Sequence, residues 1–221
     1  MSMIAIIPAR SGSKGVVNKN IINFGGFPLI AYSIAAAKMI NEVDRVIVST
    51  DSVAYAKIAN KFGAETPFIR PIEISDDRST DYDLFEHALS WLESNENYNP
   101  EYVLHLRPTT PIRDKSVILD AISLFKKHPE ASSLRSGHLA SESPFKWFLK
   151  DEYGYFKGLR SDLTPEKINM ARQTFPPTYI SNGYVDILKA DYIKNNKKLH
   201  GDKMLIFESP FCSQIDNKDD L

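Results

Sequence analysis

The sequence predicts an α/β fold built on a mostly parallel central sheet, and three observations predict it. Apolar runs of strand length alternate with helix-patterned segments through residues 1–137. Those runs are continuous and rich in Ile and Val, as expected of strands buried on both faces. The segments with the most distinctive chemistry each follow a strand, and parallel sheets bind ligands outside the carboxyl ends of their strands.

Taken in order, residues 3–8 (MIAIIP) read as a buried strand. Residues 28–40 (PLIAYSIAAAKMI) read as a helix, with Leu29, Tyr32, Ile34, Ala37 and Ile40 near helical spacing and Pro28 suited to the first turn. Residues 44–50 (DRVIVST) form a β-branched strand, 51–62 a helix with Asp51 as N-cap, and 66–70 (TPFIR) a third short strand. The helix from 80 opens with Thr80 and Asp83 in capping-box spacing. Residues 102–106 are again a buried strand, 115–128 a helix capped by Asp114, and 132–137 a fifth strand. The pattern breaks over 140–177, where Phe145, Trp147, Phe148, Tyr153, Tyr155 and Phe156 crowd together and Thr164-Pro165 starts a short helix. Aromatic density in a segment too short for its own core predicts a dimerisation arm that also forms part of a substrate wall. The sheet pattern returns in 183–189 and 203–209, residues 188–203 read as a solvated basic patch, and a last helix begins near the end.

Composition narrows the function. A formal net charge of -1 argues against a general nucleic-acid binder, which carries a basic excess. The single cysteine, Cys212, excludes an intrachain disulfide framework and zinc clusters of several thiols, and reads as a small buried apolar residue. No apolar run reaches the roughly 20 residues that span a bilayer. A strand that starts at residue 3 leaves no room for a signal peptide, so a cytoplasmic, reducing compartment is expected. The histidines form no catalytic cluster.

The most informative stretch follows the first strand. Arg10, Lys14 and Lys19 surround Gly12 and Gly15 with no acid among them. A glycine turn brings backbone N–H groups against an oxyanion, Arg adds a planar fork and Lys a mobile charge, a combination suited to a polyphosphate. The stretch is neither a Walker A loop nor GxGxxG, which argues against a nicotinamide dinucleotide.

This loop, IPARSGSKG followed by Lys19-Asn20, resembles the signature of the acylneuraminate cytidylyltransferases. Further segments in family order carry the resemblance along nearly the whole chain. They are IVSTD (47–51), Arg70-Pro71 with DDRSTD (76–81), RPTTPIR (107–113), Arg172-Gln173, Asn182-Gly183, and Ile215-Asp216-Asn217 before Asp220-Leu221. The resemblance implies a three-layer Rossmann-like nucleotidyltransferase fold. Within it, 1–139 would be the nucleotide-binding core, 140–177 the dimerisation and sugar-site insertion, and 178–221 the return to the core with the metal motif. The implied reaction transfers CMP from CTP to the anomeric hydroxyl of a nonulosonic acid and releases pyrophosphate, in a homodimer that uses Mg²⁺.

By that resemblance, Arg10, Lys14 and Lys19 neutralise the triphosphate as the catalytic set. Ala9, Ser13 and Asn20 join Arg10 on the nucleotide, while Arg70 and Ser79 read the O2 and N3 acceptors of cytosine. Arg172 is the candidate for the sugar carboxylate, with Lys146, Gln173, Asn182 and Tyr184 around the sugar. Asp216 is the candidate Mg²⁺ ligand. Two departures stand out. Gln214 replaces the first acid of the usual D-x-D, and Arg107 replaces the Gln of Q-P-T-S-P-L-R, a sugar-contacting position. Arg107 therefore suggests an acceptor other than N-acetylneuraminate: a legionaminic-type, pseudaminic-type or other modified nonulosonate. The competing readings are a Kdo or other sugar cytidylyltransferase on the same scaffold, and a non-catalytic nucleotide-binding protein.

Overall fold

The computed structural model describes residues 2–12 and 15–220, apart from the side chain of Lys218. The expected roles of Ser13 and Lys14 lie outside the described residues. The chain runs β1 (Met3–Pro8), β2 (Asn23–Phe24), β3 (Phe27–Pro28), α1 (Leu29–Lys38), β4 (Arg45–Ser49), α2 (Val53–Lys61), α3 (Asp81–Glu96), β5 (Tyr102–His105) and α4 (Lys115–Lys126). It continues through β6 (Ser133–Leu139), β7 (Phe148–Lys150), β8 (Phe156–Gly158), α5 (Pro165–Ile168), β9 (Tyr179–Lys189), α6 (Ala190–Asn196) and β10 (Met204–Glu208).

Six strands form one sheet in the order β10-β6-β9-β5-β1-β4. Only β9 runs against its neighbours, pairing antiparallel with both β5 and β6. Period-two alternation sends the side chains of β1 to opposite faces. Met3, Ala5 and Ile7 pack with Ile30, Ile34 and Ile118 from α1 and α4. Ile4 and Ile6 pack with Phe85, Leu89 and Ile193 from α3 and α6. A sheet buried on both sides needs apolar residues at every position of its central strands, which is why β1 reads as an unbroken hydrophobic run.

Local signals placed most boundaries. Thr80 and Asp83 form the capping box at the start of α3, Asp114 caps α4, and Thr164 caps α5 with Pro165 in its first turn. Four expectations need correction. Ser52, not Asp51, caps α2 by accepting from the Tyr55 N–H, because the Asp51 carboxylate is engaged by the backbone N–H and hydroxyl of Ser11. Pro28 stands at the N-cap of α1, not inside its first turn. The strand expected at 66–70 does not form. A single bridge joins Ile47 to Glu65 at the sheet edge, and Pro67 has no N–H with which to extend it. Residues 190–196 are helical where a solvated patch was expected, because Ala190 and Ile193 are buried beneath the α3 face of the sheet.

Between β6 and β9 lie the β7–β8 hairpin, α5 and two short 3-10 turns. This segment exposes Trp147, Phe148, Leu149, Tyr153 and Tyr155. At its return, β9 takes up an irregularity in its pairing with β6 at Asn182-Gly183, and Gly183 adopts a positive φ of 62°.

Candidate active site

The carboxyl ends of β1 and β5, with the segment before α3, open onto one cavity of about 420 Å³. Its wall includes Arg10, Lys19, Asn20, Arg70, Ser79 and Arg107, so six residues that the sequence placed in a binding role do converge. Gly15 also lines it, and a Cβ there would come within 2.7 Å of the Asp216 carbonyl oxygen, so the glycine is needed for the two segments to touch. Ala9 is buried behind this wall, its backbone N–H bonded to the Ser49 carbonyl.

Each cation has a defined setting. The Asn20 side-chain amide donates to the Arg10 carbonyl (2.9 Å) and fixes the backbone from which Arg10 projects. The Arg10 guanidinium donates to the Asp76 carbonyl and to the Asp77 carboxylate, the latter at 2.6 Å. Lys19 pairs with Asp216 at 3.1 Å. Arg70 is different. It is 5% exposed, and its Nε and Nη2 have no hydrogen-bond partner. Burial holds its guanidinium pKa below the usual value, with Asp51 acting in the opposite sense. A buried cation without partners is costly, and such a group calls for an explanation in a ligand or an ion.

Arg107 lines the cavity but is clamped from both sides. It donates to Asp186 on β9 and to Asp81 at the start of α3, each at 2.8 Å. Asp186 is 1% exposed, also accepts from Arg135 at 3.3 Å, and lies 3.7 Å from His105 Nδ1. Burial, reinforced by Arg107, Arg135 and Arg113, holds His105 well below its ordinary pKa and therefore neutral. Arg113 completes the support with four neutral acceptors, among them the Arg107 and Gly183 carbonyls, and burial pushes its guanidinium down to about 9. The family resemblance pointed to Arg107 as a sugar contact. The structure makes it first an ionic strut between two acids, and the lone acid in the apolar run GYVDILK was the available signal.

The remaining expected sugar residues do not share this cavity. Arg172 and Gln173 line a second one of about 350 Å³ with Leu139, Ala140 and Phe175, and Arg172 donates to the Ala140 carbonyl. Lys146 lines neither and donates to the Met170 carbonyl. Asn182 and Tyr184 need correction as sugar contacts. Asn182 is fully buried, its amide shared among Ser136, Ser209 and the Tyr184 N–H. The Tyr184 hydroxyl accepts from the Asp114 N–H. Both hold β9 to its neighbours, because residues inside a central strand face the packed helix layer or the sheet.

Asp216 lies on a segment that is not a strand, yet alternation still applies. Ile215 is buried, with its N–H on the Thr109 carbonyl, while Asp216 remains exposed. The Asp220 carboxylate accepts from the N–H groups of Asp216 and Asn217, which lowers its pKa. Among the described residues no group of three His, Cys, Asp or Glu side chains could hold a metal by itself. One exposed carboxylate oxygen set beside a phosphate-sized cavity still fits Mg²⁺, which takes one or two carboxylates and completes its shell with phosphate and water. Cys212 donates its thiol to the Asn182 carbonyl, and burial raises its pKa, as expected of an inert packed cysteine.

Residues 4–156 match the family model described as cytidylyltransferase. The chain is 41% identical over 124 residues to the N-acylneuraminate cytidylyltransferase of Escherichia coli O18:K1:H7, covering 56% of this chain and 28% of that one. It is 30% identical over 225 residues to the N-acylneuraminate cytidylyltransferase of Streptococcus agalactiae serotype V, covering 100% and 52%. It is 38% identical over 125 residues to the pseudaminic acid cytidylyltransferase of Campylobacter jejuni serotype O:23/36, covering 57% and 53%. The chain thus spans about half the length, or less, of these curated relatives. Among solved structures, a CMP:2-keto-3-deoxy-manno-octonic acid synthetase complexed with CTP superposes with a TM-score of 0.70 at 15% identity, covering 99% of this chain and 95% of that one, a likeness of fold. With the family model matched across most of its sheet, the chain belongs to the cytidylyltransferase family.

Proposed function

We propose that this chain transfers the CMP moiety of CTP to the anomeric hydroxyl of a nonulosonic acid and releases pyrophosphate. The observation that carries the reading is Arg70, a buried residue lining the cavity that Arg10 and Lys19 also line, with two guanidinium nitrogens that have no hydrogen-bond partner. Cytosine presents two adjacent acceptors, O2 and N3, to such a fork, whereas uracil presents a donor at N3. The N-acylneuraminate and pseudaminic acid relatives support a nine-carbon sugar acid as acceptor.

In this reaction the acceptor hydroxyl oxygen bonds to the α-phosphorus as the bond from that phosphorus to the α,β-bridging oxygen breaks, pyrophosphate leaves with that oxygen, and the hydroxyl proton passes to water. Little covalent chemistry falls to the protein, so placement and charge neutralisation carry catalysis. Arg10, Lys14 and Lys19 hold the phosphates and balance the charge that builds on the leaving pyrophosphate. Asn20 fixes Arg10, and Arg70 with Ser79 holds the base. Asp216 would hold Mg²⁺, which when bound supplies further charge neutralisation to the phosphates. Arg172 and Gln173, on the wall of the second cavity, suit the carboxylate and hydroxyls of the acceptor.

Segment 140–177 acts as a homodimer arm. Its exposed aromatic and aliphatic side chains support this, since such surface is otherwise a liability. In the dimer the arm of one subunit extends the acceptor wall of the other, which reconciles two separate cavities with one transfer reaction. The 1–139 core then serves CTP, and 178–221 returns to the sheet and brings Asp216 to the phosphates. No helix among the described residues is long and apolar enough to cross a membrane, and a packed, reduced cysteine suits the cytoplasm.

The test is pyrophosphate release from CTP and Mg²⁺ with N-acetylneuraminate, legionaminate, pseudaminate and Kdo supplied separately. Turnover with a nonulosonate is expected. Turnover with Kdo alone, or CTP binding with no turnover on any acceptor, overturns the reading.

A further inference from the structure

The phosphate cradle contains its own anion. Arg10 Nη2 donates to Asp77 at 2.6 Å, while its Nη1 reaches the neighbouring Asp76 carbonyl. Both side chains are about one-third exposed, so the pair sits at the cavity mouth and not in a core. Asp77 and Arg10 line the same cavity, and the contact covers the part of the guanidinium that a phosphate would take.

The loop that presents Asp77 is a self-contained turn. The Asp76 carboxylate points back into it, accepting from the N–H groups of Arg78 and Ser79 and from the Ser79 hydroxyl. Ser75 closes the preceding end by donating to the Pro71 carbonyl, and the Thr80–Asp83 box anchors the following end to α3. Asp77 therefore stands on a turn that carries its own hydrogen bonds, so the turn does not rest on the Arg10–Asp77 contact alone.

We propose that Asp77 is an internal phosphate mimic that occupies Arg10 in the empty enzyme and is displaced when the triphosphate enters. The proposal rests on the assignment of this cavity to CTP. The exchange is one anion for another on one fork, so no cation is left bare in either state. Asp77 thus sets the affinity of the cradle and biases it toward ligands with at least two phosphates, which can outcompete a single carboxylate.

The experiment is calorimetric titration of inorganic pyrophosphate and of CTP into the wild type, Asp77→Asn and the double variant Asp77→Asn/Arg78→Gln. Removing an exposed ion pair from the free state should tighten both ligands about three- to fivefold at low ionic strength, with the gain shrinking in high salt. The double variant separates contact from field. Arg78 is 94% exposed, and its removal restores the loop's net charge without restoring the contact. Retained tightening in the double variant upholds the latch. Unchanged or weaker binding in Asp77→Asn overturns it, as does tightening that vanishes in the double variant. If the wild type binds neither ligand, the assignment of the cavity to CTP falls first.

Discussion

Replacing Arg70 by Met should separate stability from binding in opposite directions. The side chains are similar in length, but Met needs no hydrogen bonds. Arg70 is 5% exposed, has no side-chain hydrogen bond on Nε or Nη2, and has a pKa held down chiefly by burial. Exchanging a buried, poorly paired charge for a packed apolar group commonly stabilises by about 1–4 kcal/mol. Asp51 and Asp81 attract Arg70 while Arg10 repels it, so the net attraction lost is partial and the lower half of that range applies, about 1–2 kcal/mol. For a chain of this size that is a rise in Tm of about 2–8 °C. CTP binding should move the other way. Each hydrogen bond from a charged donor contributes about 1.5–3 kcal/mol, so losing even one weakens CTP by roughly 10- to 150-fold. UTP, which cannot accept at N3, should weaken far less, and preference for CTP over UTP should collapse. Calorimetry of both nucleotides beside a thermal melt reads all of this. A variant that melts several degrees lower with unchanged CTP affinity would refute the reasoning and make Arg70 a structural residue.

Arg107→Gln removes the strut between Asp81 and Asp186 and leaves the buried Asp186 to Arg135 alone. It should cost about 2–3 kcal/mol, below the full cost of breaking a buried pair, and Asp186→Asn added to it should recover part of the loss in a double-mutant cycle. Undiminished stability with a large loss of acceptor kcat/KM would instead make Arg107 a sugar contact. Thr80→Ala breaks the capping box of α3 and should lower stability by about 1 kcal/mol in urea melts, with an unchanged m-value. His105 is buried and neutral with a lowered pKa, so below its ordinary value of about 6.5 the unfolded chain takes up a proton that the folded chain refuses. Stability should therefore fall as pH drops from about 6.5 toward 5, and His105→Gln should flatten that slope in pH-dependent melts.

Much of this molecule is written locally. The apolar runs of β1, β4 and β5, the caps at Thr80, Asp114 and Thr164, and the cations after β1 all act over a few residues. Short-range sterics, backbone hydrogen bonding and the two-fold or 3.6-fold period suffice to place them, and with them the α/β class and the rim where a ligand binds. Even the grouping of Arg10, Lys19, Asn20 and Ser79 follows once each is known to lie past a strand end or at a helix start, whereas Arg70 reaches the same cavity from a segment that forms no strand. What tertiary structure decided is how those groups are paired. Asp77 meets Arg10 across 67 positions, Asp186 meets Arg107 across 79, and Asp216 meets Lys19 across 197. Asn182, polar and seemingly available, is fully buried because β9 is inserted between β5 and β6. Charge and burial depend on everything that packs nearby, so a residue's chemistry can be read from the sequence while its partner, and hence its availability to a ligand, emerges only when distant segments close on the same rim.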